Sequence, residues 1–120
     1  MKLRISGNSL RLRLSPADLD GIRRDGRIEC WTGFGPGHRF VYALECSAEV
    51  ADLVAEFEQE ALTITMPESW LGEWDDDEWV GFEAMQPIDG DQHLHVLVEK
   101  DLACAHARNG KKERMAAAAP

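Results

Sequence analysis

The residues best suited to chemistry lie in a few short stretches. His93 and His95 stand one residue apart, and Cys104 and His106 repeat that spacing further on. Alternate residues of a strand share a face, so His93 and His95 would present two imidazoles to one ion, and imidazole and thiolate both suit zinc. His93, His95, Cys104 and His106 are therefore a candidate metal site, although their spacing is not that of a standard zinc module. The plainer alternative is two surface histidines opposite Leu94 and Val96. A second set is basic. Lys2, Arg4, Arg11 and Arg13 alternate with apolar residues and share one face; with Arg39 they form a candidate contact surface for nucleic acid or for a small anionic ligand. The alternative is a solvated face, or pairing with acidic residues elsewhere in the chain.

Other groupings carry less. Glu73, Asp75, Asp76, Asp77 and Glu78 lack the glycine and alternating ligands of a calcium loop and read as a solvated acidic turn. The glycine-rich loop 33–39 has backbone N–H groups suited to an anion. It lacks the phosphate-loop pattern, however, and it runs into a strand instead of a helix. Trp70 and Trp74 fall on one helical face and read as core, whereas an exposed Trp70 or Trp79 would mark an interface. No nucleophile sits in a recognisable elbow, and no Ser-His-Asp order follows from spacing. The reading leans away from an enzyme and expects no cofactor.

Elements must position these groups. Period-two alternation predicts strands at Lys2–Ile5 and Leu10–Leu14, joined by the turn residues 6–9. Ser15-Pro16-Ala17-Asp18 predicts a helix start and Gly26 its end. Strands follow at 27–31 and 39–45. The order then recurs: a hairpin at 51–58 and 61–66, a short helix opening at Pro67, strands at 78–84 and 92–99, and a loop at 87–91. A gap-free shift of 52 residues superposes the apolar positions, with Leu10, Leu12 and Leu14 meeting Leu62, Ile64 and Met66, and Leu44 meeting Val96. Such self-similarity points to units that cannot bury their apolar faces alone.

Charge divides along the same line. The net charge is −9, yet residues 1–46 sum to +3, residues 47–99 to −15 with no Lys or Arg, and residues 100–120 to +3. Segregation of this kind bears on partners, not on fold. At 120 residues and 44% hydrophobic the chain suits one soluble domain. Cys30, Cys46 and Cys104 form no CxxC and read as reduced thiols, the first two as small core residues. No apolar run has the length of a membrane span, and no leader is evident, so a cytoplasmic location is expected. Residues 108–120 are polar and then alanine-rich, and are expected to be disordered.

Two resemblances follow from these residues. Gly7-Asn8-Ser9-Leu10, the strand ending at Ser15-Pro16, the helix, and Asp25-Gly26-Arg27-Ile28 resemble the swapped-hairpin units of AbrB/MazE-type proteins. Residues 60–84 look like the same phrase. That resemblance implies DNA binding or an antitoxin-type regulator. The loss of every Lys and Arg from the second unit departs from it and argues against a symmetric DNA contact. The whole chain also resembles a family of small uncharacterised bacterial proteins that begin MKLRI-GNSLRLRL, which implies no chemistry. The expected fold is a strand-dominated α+β domain spanning residues 1–107: a pseudo-symmetric barrel built from a duplicated strand-strand-helix-strand-strand unit, with two short helices and repeats at about 1–46 and 51–99. The expected function is a non-enzymatic binding module whose partner is a protein or a small anionic ligand. DNA binding and metal binding are the alternatives.

Overall fold

The computed structural model describes residues 1–75 and 80–101. The expectation for 108–120, the positions of Cys104 and His106, and the acidic run 76–78 with Trp79 lie outside them. The elements run β1 (Lys2–Ser6), β2 (Ser9–Leu14), α1 (Pro16–Asp25), β3 (Arg27–Gly33), β4 (Arg39–Ser47), β5 (Val54–Glu58), β6 (Ala61–Pro67), a 3-10 helix (Glu68–Asp75), β7 (Gly81–Asp89) and β8 (Gln92–Lys100).

Local chemistry explains most of these boundaries. Ser15 caps α1: its hydroxyl accepts from the Asp18 N–H at 3.2 Å, and the Asp18 carboxylate accepts from the Ser15 N–H at 2.9 Å. Two otherwise unpaired donors are satisfied in this way. Burial pushes the Asp18 carboxyl up, but the Met1 ammonium and the Ser15 donors outweigh burial and hold it below its ordinary value. Gly26 ends the helix at φ 74°, in the left-handed region that a side chain resists. β7 extends through Pro87, past the expected loop start. It is an edge strand, where a missing N–H breaks no ladder, and an irregularity between Pro87 and Asp89 absorbs the ring.

The strands form two four-stranded sheets, ordered β1-β2-β8-β7 and β3-β4-β6-β5. The expected closed barrel is not formed. The first sheet ends at β1 and β7, the second at β3 and β5, and among the described residues no ladder joins these edges. One side chain bridges β7 and β5: Gln86 donates to Ala55 O at 2.9 Å and accepts from Ala55 N at 2.7 Å, satisfying the Ala55 backbone on the free edge of β5. The apolar faces of both sheets enclose one core containing Leu12, Leu14, Ile22, Leu44, Ile64, Met66, Val96 and Val98.

Each sheet takes one hairpin from each half of the chain, and its two central strands are parallel: β2 with β8, and β4 with β6. Replacing every element by its counterpart turns one strand order into the other. The register refines the 52-residue shift. Leu3 opposite Leu12 becomes Ala55 opposite Ile64, a shift of 52. Ile28 opposite Leu44 becomes Phe82 opposite Val98, a shift of 54. Two extra residues thus fall between β6 and β7. Because strand faces have period two, the insertion leaves inward positions inward, and a gap-free comparison conceals it. An apolar opening of about 330 Å³ lies between counterparts: Ile5 and Phe57, Leu10 and Leu62, Phe40 and Leu94.

The two hairpin turns between β1 and β2 and between β5 and β6 differ in strain. The first contains Gly7 at φ 55°, whereas Gln59 and Glu60 adopt φ 53° and 63° with side chains attached. Replacing this pair with the residues that favour such a turn, Gln59→Asn with Glu60→Gly, is expected to stabilise the fold by about 1 kcal/mol, read from chemical denaturation. Cys46 supplies a second check. Burial, then Glu68 and Glu45, push its thiol up to about 11. Only the thiolate reacts, so iodoacetamide should modify Cys46 very slowly at pH 8, with the rate rising about tenfold per pH unit until about 11.

Candidate functional site

The outer face of the first sheet brings together residues from opposite ends of the sequence. The parallel register sets Ser9 beside His95, Arg11 beside Leu97 and Arg13 beside Glu99. Across the hairpin Arg4 is opposite Arg11, and Lys2 opposite Arg13. On the other side Met85 is opposite His95 and Glu83 opposite Leu97. Two hydrogen bonds, one backbone and one side-chain, fix the β1–β2 turn against β8: His95 N–H donates to Asn8 O at 2.9 Å, and Asn8 Nδ2 donates to His93 O at 3.4 Å.

The result is an open depression of about 600 Å³ whose polar lining includes Arg4, Asn8, Ser9, Arg11, His93 and His95. Two sets that the sequence kept apart, the basic hairpin and the histidine pair, therefore share one site. The cations are not equivalent. Arg13 and Arg11 both reach Glu99 Oε1, at 3.0 and 3.4 Å, and Glu99 is buried. Lys2 reaches the buried Asp101 at 3.3 Å. Glu99 from the acidic segment and Asp101 just beyond it thus neutralise much of the basic face. Arg4 is exposed and has no ion-pair partner among the described residues. Arg39 is separate: it lies on β4 in the second sheet, its guanidinium 4.7 Å from the ring centre of the exposed Trp31.

His95 is 5% exposed and both ring nitrogens face side chains. Nε2 is 2.5 Å from Glu83 Oε2, and Nδ1 is 3.4 Å from Ser9 Oγ. A carboxylate accepts, so Nε2 carries the proton and Nδ1 is left to accept from the serine hydroxyl. No three His, Cys, Asp or Glu side chains come together to hold a metal among the described residues. Ser9, Asn8 and Glu83 were missed as site residues. Ser9 and Asn8 read as ordinary turn chemistry, and the 86-residue separation between Ser9 and His95 leaves no local signal.

The second sheet supplies an internal comparison. The counterparts of Ser9, His95 and Glu83 are Ala61, Val41 and Glu29, and Ala61 is indeed paired with Val41. Arg4 and Arg11 correspond to Glu56 and Thr63. The same strand pairing is therefore satisfied without serine, histidine or arginine, so the polar cluster is not a requirement of this architecture.

The sequence pattern of DUF7009, a family of unknown function, matches residues 1–118, and the chain belongs to that family. No curated protein and no solved structure matches it. Among the described residues no helix is long and apolar enough to cross a membrane.

Removing the carboxylate that anchors two arginines tests the electrostatic account. Glu99→Ala leaves Arg11 and Arg13 facing each other without their shared acceptor, and is expected to cost about 1–3 kcal/mol in chemical denaturation.

Proposed function

We propose that this member of DUF7009 is a binding module for a small anionic molecule, one carrying a phosphate or carboxylate, taken up on the outer face of the first sheet. The observation that carries this reading is the exposed Arg4 sharing a depression with Arg11, Asn8, Ser9 and His93. Arg4 has no carboxylate partner among the described residues. A guanidinium presents planar donors that match carboxylate and phosphate oxygens in pairs. Concave sites with a few convergent polar groups are the usual form of small-molecule sites. The free thiols Cys30 and Cys46 accord with action in the bacterial cytosol.

Duplex DNA, the AbrB/MazE-type reading, has less support. A polyanion needs several free cations along its path, and Lys2, Arg11 and Arg13 are already engaged by Asp101 and Glu99. Zinc binding has less support because the two nitrogens of His95 face Glu83 and Ser9.

Calorimetric titration with inorganic pyrophosphate at low salt tests the proposal. Saturable binding that weakens as salt rises is expected, with Arg4→Gln lowering affinity at least about tenfold. Absence of binding, or an Arg4→Gln variant that binds as tightly as the parent, overturns it. Tight binding of a random DNA duplex that is lost in a Lys2→Gln, Arg13→Gln double variant would replace it with the DNA reading.

A further inference from the structure

Ser9 Oγ, the His95 ring and Glu83 Oε2 form a continuous chain: 3.4 Å from hydroxyl to Nδ1, and 2.5 Å from Nε2 to the carboxylate. A nucleophile, a base and a group that orients the base are arranged in the same order in hydrolases of unrelated fold, where the arrangement is recognised by geometry and not by sequence position. Ser9 and His95 both line the depression, whereas Glu83 stands behind the ring, outside its lining. His95 is held from three directions: its backbone by Asn8, its Nε2 by Glu83, and its strand by β2. The serine–histidine distance is long, as is common before a substrate tightens such contacts. The second sheet pairs its corresponding strands with Ala61 and Val41 at these positions, so folding alone does not call for the serine–histidine pair.

We propose that Ser9, His95 and Glu83 act as a nucleophile, base and orienting carboxylate that hydrolyse a carboxylic ester bearing an anionic group, with Arg4 holding that group. The proposal adds an activity to the binding reading and rests on it for the charge of the substrate. In the first step Ser9 Oγ bonds to the acyl carbon while its proton passes to His95 Nδ1. The imidazolium that results lies against the Glu83 carboxylate, which stabilises it. The ester C–O bond then breaks, and the leaving alkoxide takes the proton from Nδ1 and departs as the alcohol. A water molecule next gives a proton to Nδ1 and attacks the acyl-serine. The acid leaves, and the proton returns to Ser9. Overall, ester and water give acid and alcohol, with no other reactant.

Two probes test this on the full chain. A fluorophosphonate, which phosphonylates activated serines, is expected to add once, with peptide mapping placing the adduct on Ser9, and to leave Ser9→Ala unmodified. The second probe is the anionic ester p-nitrophenyl hemisuccinate. Its hydrolysis is expected to fall at least about 100-fold in Ser9→Ala and in His95→Gln, and at least about tenfold in Glu83→Gln. Arg4→Gln is expected to raise KM with kcat held within about threefold. Ser9→Ala removes one hydroxyl from a half-buried position, and an unchanged circular dichroism spectrum certifies its fold. No adduct on the parent chain, or hydrolysis unchanged in Ser9→Ala, overturns the relay. If pyrophosphate still binds in that case, the binding reading stands and the relay alone fails. If the adduct forms on Ser9 but p-nitrophenyl butyrate is hydrolysed as readily as the hemisuccinate and pyrophosphate does not bind, the anionic substrate and the binding reading fail together.

Discussion

The parallel contact between β2 and β8, with its counterpart between β4 and β6, is the constraint on which the structure rests. A two-stranded hairpin with one apolar face is marginal in water. The described residues form four such hairpins. Pairing a hairpin from the first half with one from the second gives each sheet four strands, and stacking the two sheets removes Leu12, Leu14, Ile64, Met66, Val96 and Val98 from water. α1 and the 3-10 helix then occupy equivalent connections in the two halves, each leading from a hairpin in one sheet to a hairpin in the other.

That contact also creates the polar face. Ser9 opens β2 and His95 lies within β8, and only their parallel register makes them neighbours. The segregated charge of the sequence takes on meaning here. β2 and β1 bring cations, β8 and β7 bring Glu99 and Glu83, and the junction juxtaposes them. Glu99 is buried where Arg11 and Arg13 converge, so part of the opposition is spent in holding the sheet. Arg4, further out on β1, is left facing solvent.

The near-symmetry of the frame separates what the fold requires from what it merely carries. At the inner face, counterparts are alike in kind: Leu10 and Leu62, Leu12 and Ile64, Leu14 and Met66. At the outer face they diverge: Ser9 and Ala61, Arg4 and Glu56, His95 and Val41. Packing in a close-fitting interior limits the inner positions in both halves equally. The outer-face positions lie outside that shared core, and there the halves differ in charge and chemistry.

The strands, the capped helix and the inward positions are legible in the residues alone, because alternation, capping residues and turn residues act over a few neighbours. The dipeptide Ser15-Pro16 with Asp18 and Gly26 sufficed to bound α1, and Leu10-Leu12-Leu14 sufficed to orient β2. The repeat was legible for the same reason, although period-two alternation hid the two-residue insertion before β7. That the sheets stay open instead of closing into a barrel emerges in three dimensions, since closure depends on which edges meet, and no local pattern encodes that. The site emerges there too. The basic hairpin and the histidine pair could each be read, but Ser9 and Glu83 could not, because their significance comes from contacts spanning 86 and 12 positions of chain. Arg39 was grouped with the hairpin on charge, and the fold placed it on the other sheet, because charge carries no information about which strands become neighbours.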